Sequence, residues 1–219
     1  MINLIKKDLR LSIKVNIFAV IYALFISATG LISNNPIIAN LQYVVGIIIL
    51  TFVAVIFTNG YDDKYRSEVV LISLPLDRKN IVRGKYISLL VFFFISSGAV
   101  IVFTNILSMF GIANGGNIAG VQSAILAANI ILLFYSIYYP IYFKVGGGLR
   151  TFNVVLWMAL IMGPAVIGRG FKALDQRGLL DKLMNIDLNT INLYLFGIVI
   201  VIYYISLQIS KGIYMRREF

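Results

Sequence analysis

The chain has 219 residues, 60% of them hydrophobic and only 13% charged, with a mean hydropathy of +0.91 and a formal net charge of +10. A soluble domain is nearer half apolar and a quarter charged, and a core of this size could not hide so much apolar surface from water, so a water-soluble fold is excluded. There is no Cys and no His, which excludes disulfides and thiolate metal sites and removes the commonest general base.

In chain order, residues 1–14 come first. At about 100° per residue they put Ile2, Ile5, Leu9 and Ile13 on one helical face, with Lys6, Lys7, Arg10 and Lys14 on an adjoining arc. This pattern predicts an amphipathic helix lying in the membrane interface with its basic side toward headgroups. It serves either as a plain anchor or as a lever on the first crossing. A crossing helix needs about 20 mostly apolar residues. Six stretches qualify: 15–33, 37–57, 86–110, 119–143, 152–168 and 190–210. The first is longer than a signal-peptide core and is expected to remain as a crossing. The fold expected is therefore all-α, a single six-helix transmembrane domain over 1–219.

The connections differ in kind. Asn34, Asn35 and Pro36 make a tight turn. Segment 58–85 is long and charged. There Asp62 and Asp63 are expected to open a short helix that Pro75 stops, and Asp77 to cap a second helix running into the third crossing. Leu71, Ile72, Leu74 and Leu76 are apolar in a segment facing water and need something to bury against. The turn around Gly111–Asn117 is short and uncharged, 144–150 holds Gly146, Gly147 and Gly148, and 171–187 is mixed in charge. Fifteen of the nineteen Lys and Arg fall on one side of a six-crossing topology, which puts both termini in the cytoplasm. Pro140 and the Gly163–Pro164 pair are candidate hinges or helix ends. Tyr135, Tyr138, Tyr139 and Tyr142 are expected in the inner aromatic belt, with Tyr194, Tyr203, Tyr204 and Tyr214 read the same way.

No expected crossing carries a charge near its centre, which speaks against an ion-coupled transporter. No Walker-type loop, Gly-x-Ser-x-Gly or His-Glu-x-x-His occurs, so the chain is not expected to be an enzyme.

Four blocks then carry a resemblance. They are Leu4-Ile5-Lys6-Lys7-Asp8-Leu9, the run from Ile72 to Tyr86 with its Ser-Leu-Pro-x-x-Arg-Lys-x-Ile-Val-x-Gly-Lys core, Tyr139-Pro140-Ile141-Tyr142-Phe143-Lys144, and Arg216-Arg217-Glu218-Phe219. Together they resemble the small permease subunits of bacterial type-2 ABC exporters, and among these the Firmicutes permeases that export phenol-soluble modulins and other amphipathic or antimicrobial peptides. The resemblance implies a cell-membrane permease paired with a second permease, identical or related, and with two copies of an ATPase subunit that binds ATP and Mg. No cofactor is expected in this chain itself. It also implies a coupling segment docking on the ATPase (Tyr65, Glu68, Leu71, Ile72, Leu74, Pro75, Leu76, Asp77, Arg78 and Lys79). A connecting helix (Ile5, Lys6, Leu9 and Arg10) would lie beside it, and an external gate would form over 171–187. Partners would be peptide cargo and membrane lipid, not nucleic acid. Two other readings stay open at this point: an ATP-independent immunity or scaffold protein that sequesters a peptide, and a secondary transporter.

Overall fold

The computed structural model describes residues 2–33, 35–65, 67, 71, 77–111, 117–145 and 188–217. Described residues form six helices: α1 (Ile2–Leu11), α2 (Ile13–Ile32), α3 (Pro36–Lys64), α4 (Arg78–Met109), α5 (Val121–Val145) and α6 (Leu188–Arg216). α3, α4, α5 and residues Thr190–Arg216 of α6 are each long and apolar enough to cross a membrane, and Ile17–Ile32 of α2 is apolar over a shorter length. These helices cover the first, second, third, fourth and sixth expected crossings. The fifth, 152–168, lies outside the described residues.

Caps explain where the helices begin. The Asn35 side chain accepts a hydrogen bond from the Ile37 amide at 2.9 Å, with Pro36 next to it at the first helical position. The Asp77 carboxylate does the same for the Lys79 amide at 3.0 Å. Two glycines set the α2–α3 approach. A Cβ on Gly46 would lie 2.6 Å from Ile26 Cγ2, and one on Gly30 would run into the Tyr43 ring, so only glycine lets these backbones close up.

α2 packs on α3 and α4, α3 also on α4 and α5, and α4 on α6; the α5–α6 interface is the largest. α5 and α6 run parallel. Near their starts Asn129 bonds to Asn192, and near their ends Arg217 reaches the Phe143 carbonyl. Parallel neighbours cannot share a tight turn. The connection therefore leaves Val145 at the end of the bundle that carries α1 and arrives at Leu188 at the other. Large apolar side chains stand exposed on the outside, among them Ile17, Phe18, Ile21 and Phe25 on α2, Phe94 on α4, and Ile198, Val201 and Ile205 on α6. Water would not tolerate this, but lipid does.

The structure corrects three expectations. α3 runs on to Lys64, so Asp62 and Asp63 close a crossing helix and do not open a short one. α6 continues to Arg216, past the end expected for the sixth crossing at 210, whereas α4 starts at Arg78 behind the Asp77 cap and runs into the third crossing as expected. Tyr135, Tyr138, Tyr139, Tyr203 and Tyr214 are buried in the bundle, whereas Tyr194 and Tyr204 are exposed. These rings stay inside because they pack on one another and on neighbouring aromatics, and Tyr139 and Tyr203 also donate to backbone carbonyls there.

Candidate functional site: an ion network under α1

An acid in the last turn of a helix opposes the helix dipole. Asp62 holds that place in α3, with 7% of its surface exposed, because two lysines reach it. Lys7 of α1 binds one carboxylate oxygen at 2.7 Å and Lys85 of α4 binds the other at 2.6 Å. Both ammonium groups also approach Asp8 Oδ1, Lys85 at 3.5 Å and Lys7 at 3.6 Å. Two cations and two anions thus close a ring in which each lysine faces both acids. Asp8 is 2% exposed and Lys85 8%, while the Lys7 side chain keeps 30% exposure and opens the ring to one side.

Such a network is weak evidence for extra stability, because burying four charges costs about as much as their attraction returns. Its effect is on geometry. It ties α1 to α3 and α4 in one register, and any register that separates the charges leaves one buried without compensation. α1 therefore turns Leu4, Asp8 and, just beyond its end, Ser12 toward the bundle. Ile2 and Ile13 of the expected apolar face are left exposed. Leu4 lies over Gly84, where an added Cβ would come within 3.3 Å of it.

A neutral polar layer continues inward from Lys85. Tyr139 donates to the Lys85 carbonyl at 3.2 Å, and Tyr203 donates to the Tyr86 carbonyl at 2.9 Å. The Tyr86 hydroxyl lies 2.8 Å from both Ser206 Oγ and Ser210 Oγ. Ser206 in turn donates to the Ser136 carbonyl at 2.7 Å. One hydroxyl carries one proton, so these contacts fix a direction: Ser210 donates to Tyr86, Tyr86 to Ser206, and Ser206 to Ser136. The last link explains Pro140. Proline offers no N–H to the carbonyl four residues back, which is that of Ser136. α5 nevertheless continues through Pro140, with Ser206 of α6 taking the orphaned carbonyl.

The site residues expected from sequence fall around this network. Asp77, exposed, caps α4, and Lys79 is exposed close behind it. Arg78 is half-buried and donates to the Arg217 carbonyl at 3.4 Å. Tyr65 is exposed just past α3, its ring stacked with Tyr61 and 5.5 Å from the Lys64 ammonium. Leu71 packs against the bundle core, so this apolar residue has a covering within the chain. On α1, Ile5 and Leu9 are half-buried while Lys6 and Arg10 are exposed. Glu68, Ile72, Leu74, Pro75 and Leu76, the Gly146–Gly148 run, Gly163, Pro164 and segment 171–187 lie outside the described residues. Lys7, Asp8, Asp62 and Lys85 are absent from those expected site residues. The available signal is Asp8, the one acid in a strongly basic N-terminal segment, where repulsion among lysines invites an anion.

No curated protein and no solved structure matches the chain. The family model described as "ABC-2 family transporter protein" matches residues 3–215, nearly the whole length. The chain belongs to the ABC-2 transporter family, as a multi-pass membrane permease component of an ABC transporter.

Proposed function

We propose that this permease exports amphipathic peptides, driven by an ATPase subunit that docks at the end of the bundle carrying α1. The observation that carries the reading is the ion network. Segment 65–76 leaves α3 three residues after Asp62 and re-enters α4 seven residues before Lys85, so both of its roots are fastened to the same four charges. A push on that segment is passed to α1, α3 and α4 together. Two permeases and two ATPases would form the working complex, with ATP and Mg held by the ATPase. Residues Tyr65, Glu68, Leu71, Ile72, Leu74, Pro75, Leu76, Asp77, Arg78 and Lys79 would meet it, and α1 would lie alongside. ATP-driven closure of the ATPase pair would rock the two helix bundles and open a path between them. Both termini would be cytoplasmic. The parallel run of α5 and α6 supports the fifth crossing that this arrangement requires. The resemblance to peptide-exporting permeases supports the cargo class, with an apolar surface as its physical counterpart.

The test is reconstitution with the ATPase in vesicles, followed by export of a labelled amphipathic peptide. Reversing charge at Glu68 and Arg78, or shortening 66–76, is expected to abolish ATP-dependent export while the permease stays folded. Unchanged export and complex assembly in these variants would refute the coupling role.

A further inference from the structure

We propose that the notch between the first turns of α4 and the last turns of α6 binds the phosphate of an anionic lipid headgroup. Three cations converge there. Lys79 and Arg83 are four residues apart on α4, hence on one face, and both are exposed. Lys211 of α6 is only 9% exposed, and its ammonium donates to one neutral group on its own helix, Gln208 Oε1, at 3.3 Å. The Tyr86–Ser210 hydrogen bond sets Lys211 beside the turn that carries Arg83. Arg83 and Lys79 are the charged groups whose fields act on the Lys211 ammonium.

Among the described residues, the ion pairs all belong to the network under α1, and none includes these three cations. Asp77 is the acid nearest to Lys79 and Arg83 in the chain, and its carboxylate caps the Lys79 amide; Glu218, seven residues after Lys211, lies outside the described residues. Like charges held this close call for an anion from outside. The surroundings say which kind. Tyr204 and Met215 are exposed on the face of α6 that carries Lys211, two turns before it and one turn after, forming an apolar wall for acyl chains beside the cations. Free phosphate or an acidic protein surface would make no use of that wall. A glycerophospholipid with a net negative headgroup satisfies both features. This inference needs only the membrane, and stands apart from the cargo and coupling reading.

The experiment uses the full chain in nanodiscs of mixed phosphatidylglycerol and phosphatidylcholine. Native mass spectrometry of the released protein then reads the ratio of the two lipids retained. Wild type is expected to retain phosphatidylglycerol preferentially. Each of Lys79→Gln, Arg83→Gln and Lys211→Gln should cut that preference about fivefold, the factor that corresponds to one surface cation. The three single variants are read separately, so if one does not fold the other two still carry the test. Lys144→Gln, exposed at the end of α5, should leave the preference within about twofold. Three results would overturn the proposal. One is equal loss from Lys144→Gln, which would mean bulk charge. Another is equal protection against heat by millimolar inorganic phosphate, which would mean a free-anion site. The third is unchanged lipid preference with lost ATPase binding, which would mean a protein-docking surface.

Discussion

The two ends of this bundle are closed by different chemistry. At the α1 end the helices are joined by full charges, in the Lys7–Asp8–Asp62–Lys85 ring, backed by a chain of hydroxyls. At the opposite end the joints are neutral. Asn129 donates to the Asn192 side chain at 2.6 Å and to its carbonyl at 3.1 Å, Ser123 pairs with Asn40, and Tyr43 reaches the Asn117 carbonyl at 3.0 Å. Neutral amides form and break with modest changes in free energy, whereas a ring of buried charges is either complete or strongly penalised. The α1 end is therefore built to move as one unit, while the joints at the opposite end can open singly.

The largest expected effect comes from breaking the charged end. Lys85→Met leaves Asp8 and Asp62 with the half-exposed Lys7 alone, and should cost about 3–5 kcal/mol. Thermal unfolding of the purified protein would read it, and an unchanged midpoint would mean that the ring does not hold in the membrane. Next comes Ser206→Ala, which strips the Ser136 carbonyl of its partner for about 1–3 kcal/mol. In a Pro140→Ala background the residue at 140 regains an N–H for that carbonyl, so the Ser206→Ala penalty should shrink. A double-mutant cycle measures the coupling, and additivity would contradict the pinned-carbonyl account. At the neutral end, Asn129→Ala should cost about 1 kcal/mol, because Asn192 is partly exposed and can find other partners. A larger loss there than at Lys85 would erase the contrast between the ends. The smallest effect belongs to Lys6→Gln with Arg10→Gln, exposed residues whose replacement should change stability by less than about 0.5 kcal/mol.

Hydropathy makes the apolar helices legible, since α2 to α6 sit on the apolar runs. It misjudges the end of α3 for a reason that Asp62 makes plain. Hydropathy weighs each residue alone, so a charged residue reads as loop wherever it falls. Paired, the same residue can continue a helix, and the partners lie 55 residues apart for Lys7 and Asp62 and 77 for Lys85 and Asp8. No local pattern carries that distance. The tyrosines mislead in a similar way. An aromatic near a helix end suits an interfacial belt, and only the facing Ser206, Ser210 and backbone carbonyls reveal an interior role. By contrast, the cap at Asp77 is legible, because a cap acts within three residues of itself.

α4 is one uninterrupted helix of 32 residues, clamped by the charge ring at Lys85. At about 1.5 Å per residue, some 10 Å of rod lies before the clamp and about 36 Å beyond it. A rod held near one end is a lever with unequal arms. A shift of about 1 Å at Lys79 becomes about 4 Å at Met109, in the opposite direction. Spin labels at those two positions should move in that ratio when the ATPase closes, and equal displacements would show that Lys85 is no pivot. Small motions at the short arm would then suffice to spread the far end, with the mechanical advantage set by where along the rod the charges sit.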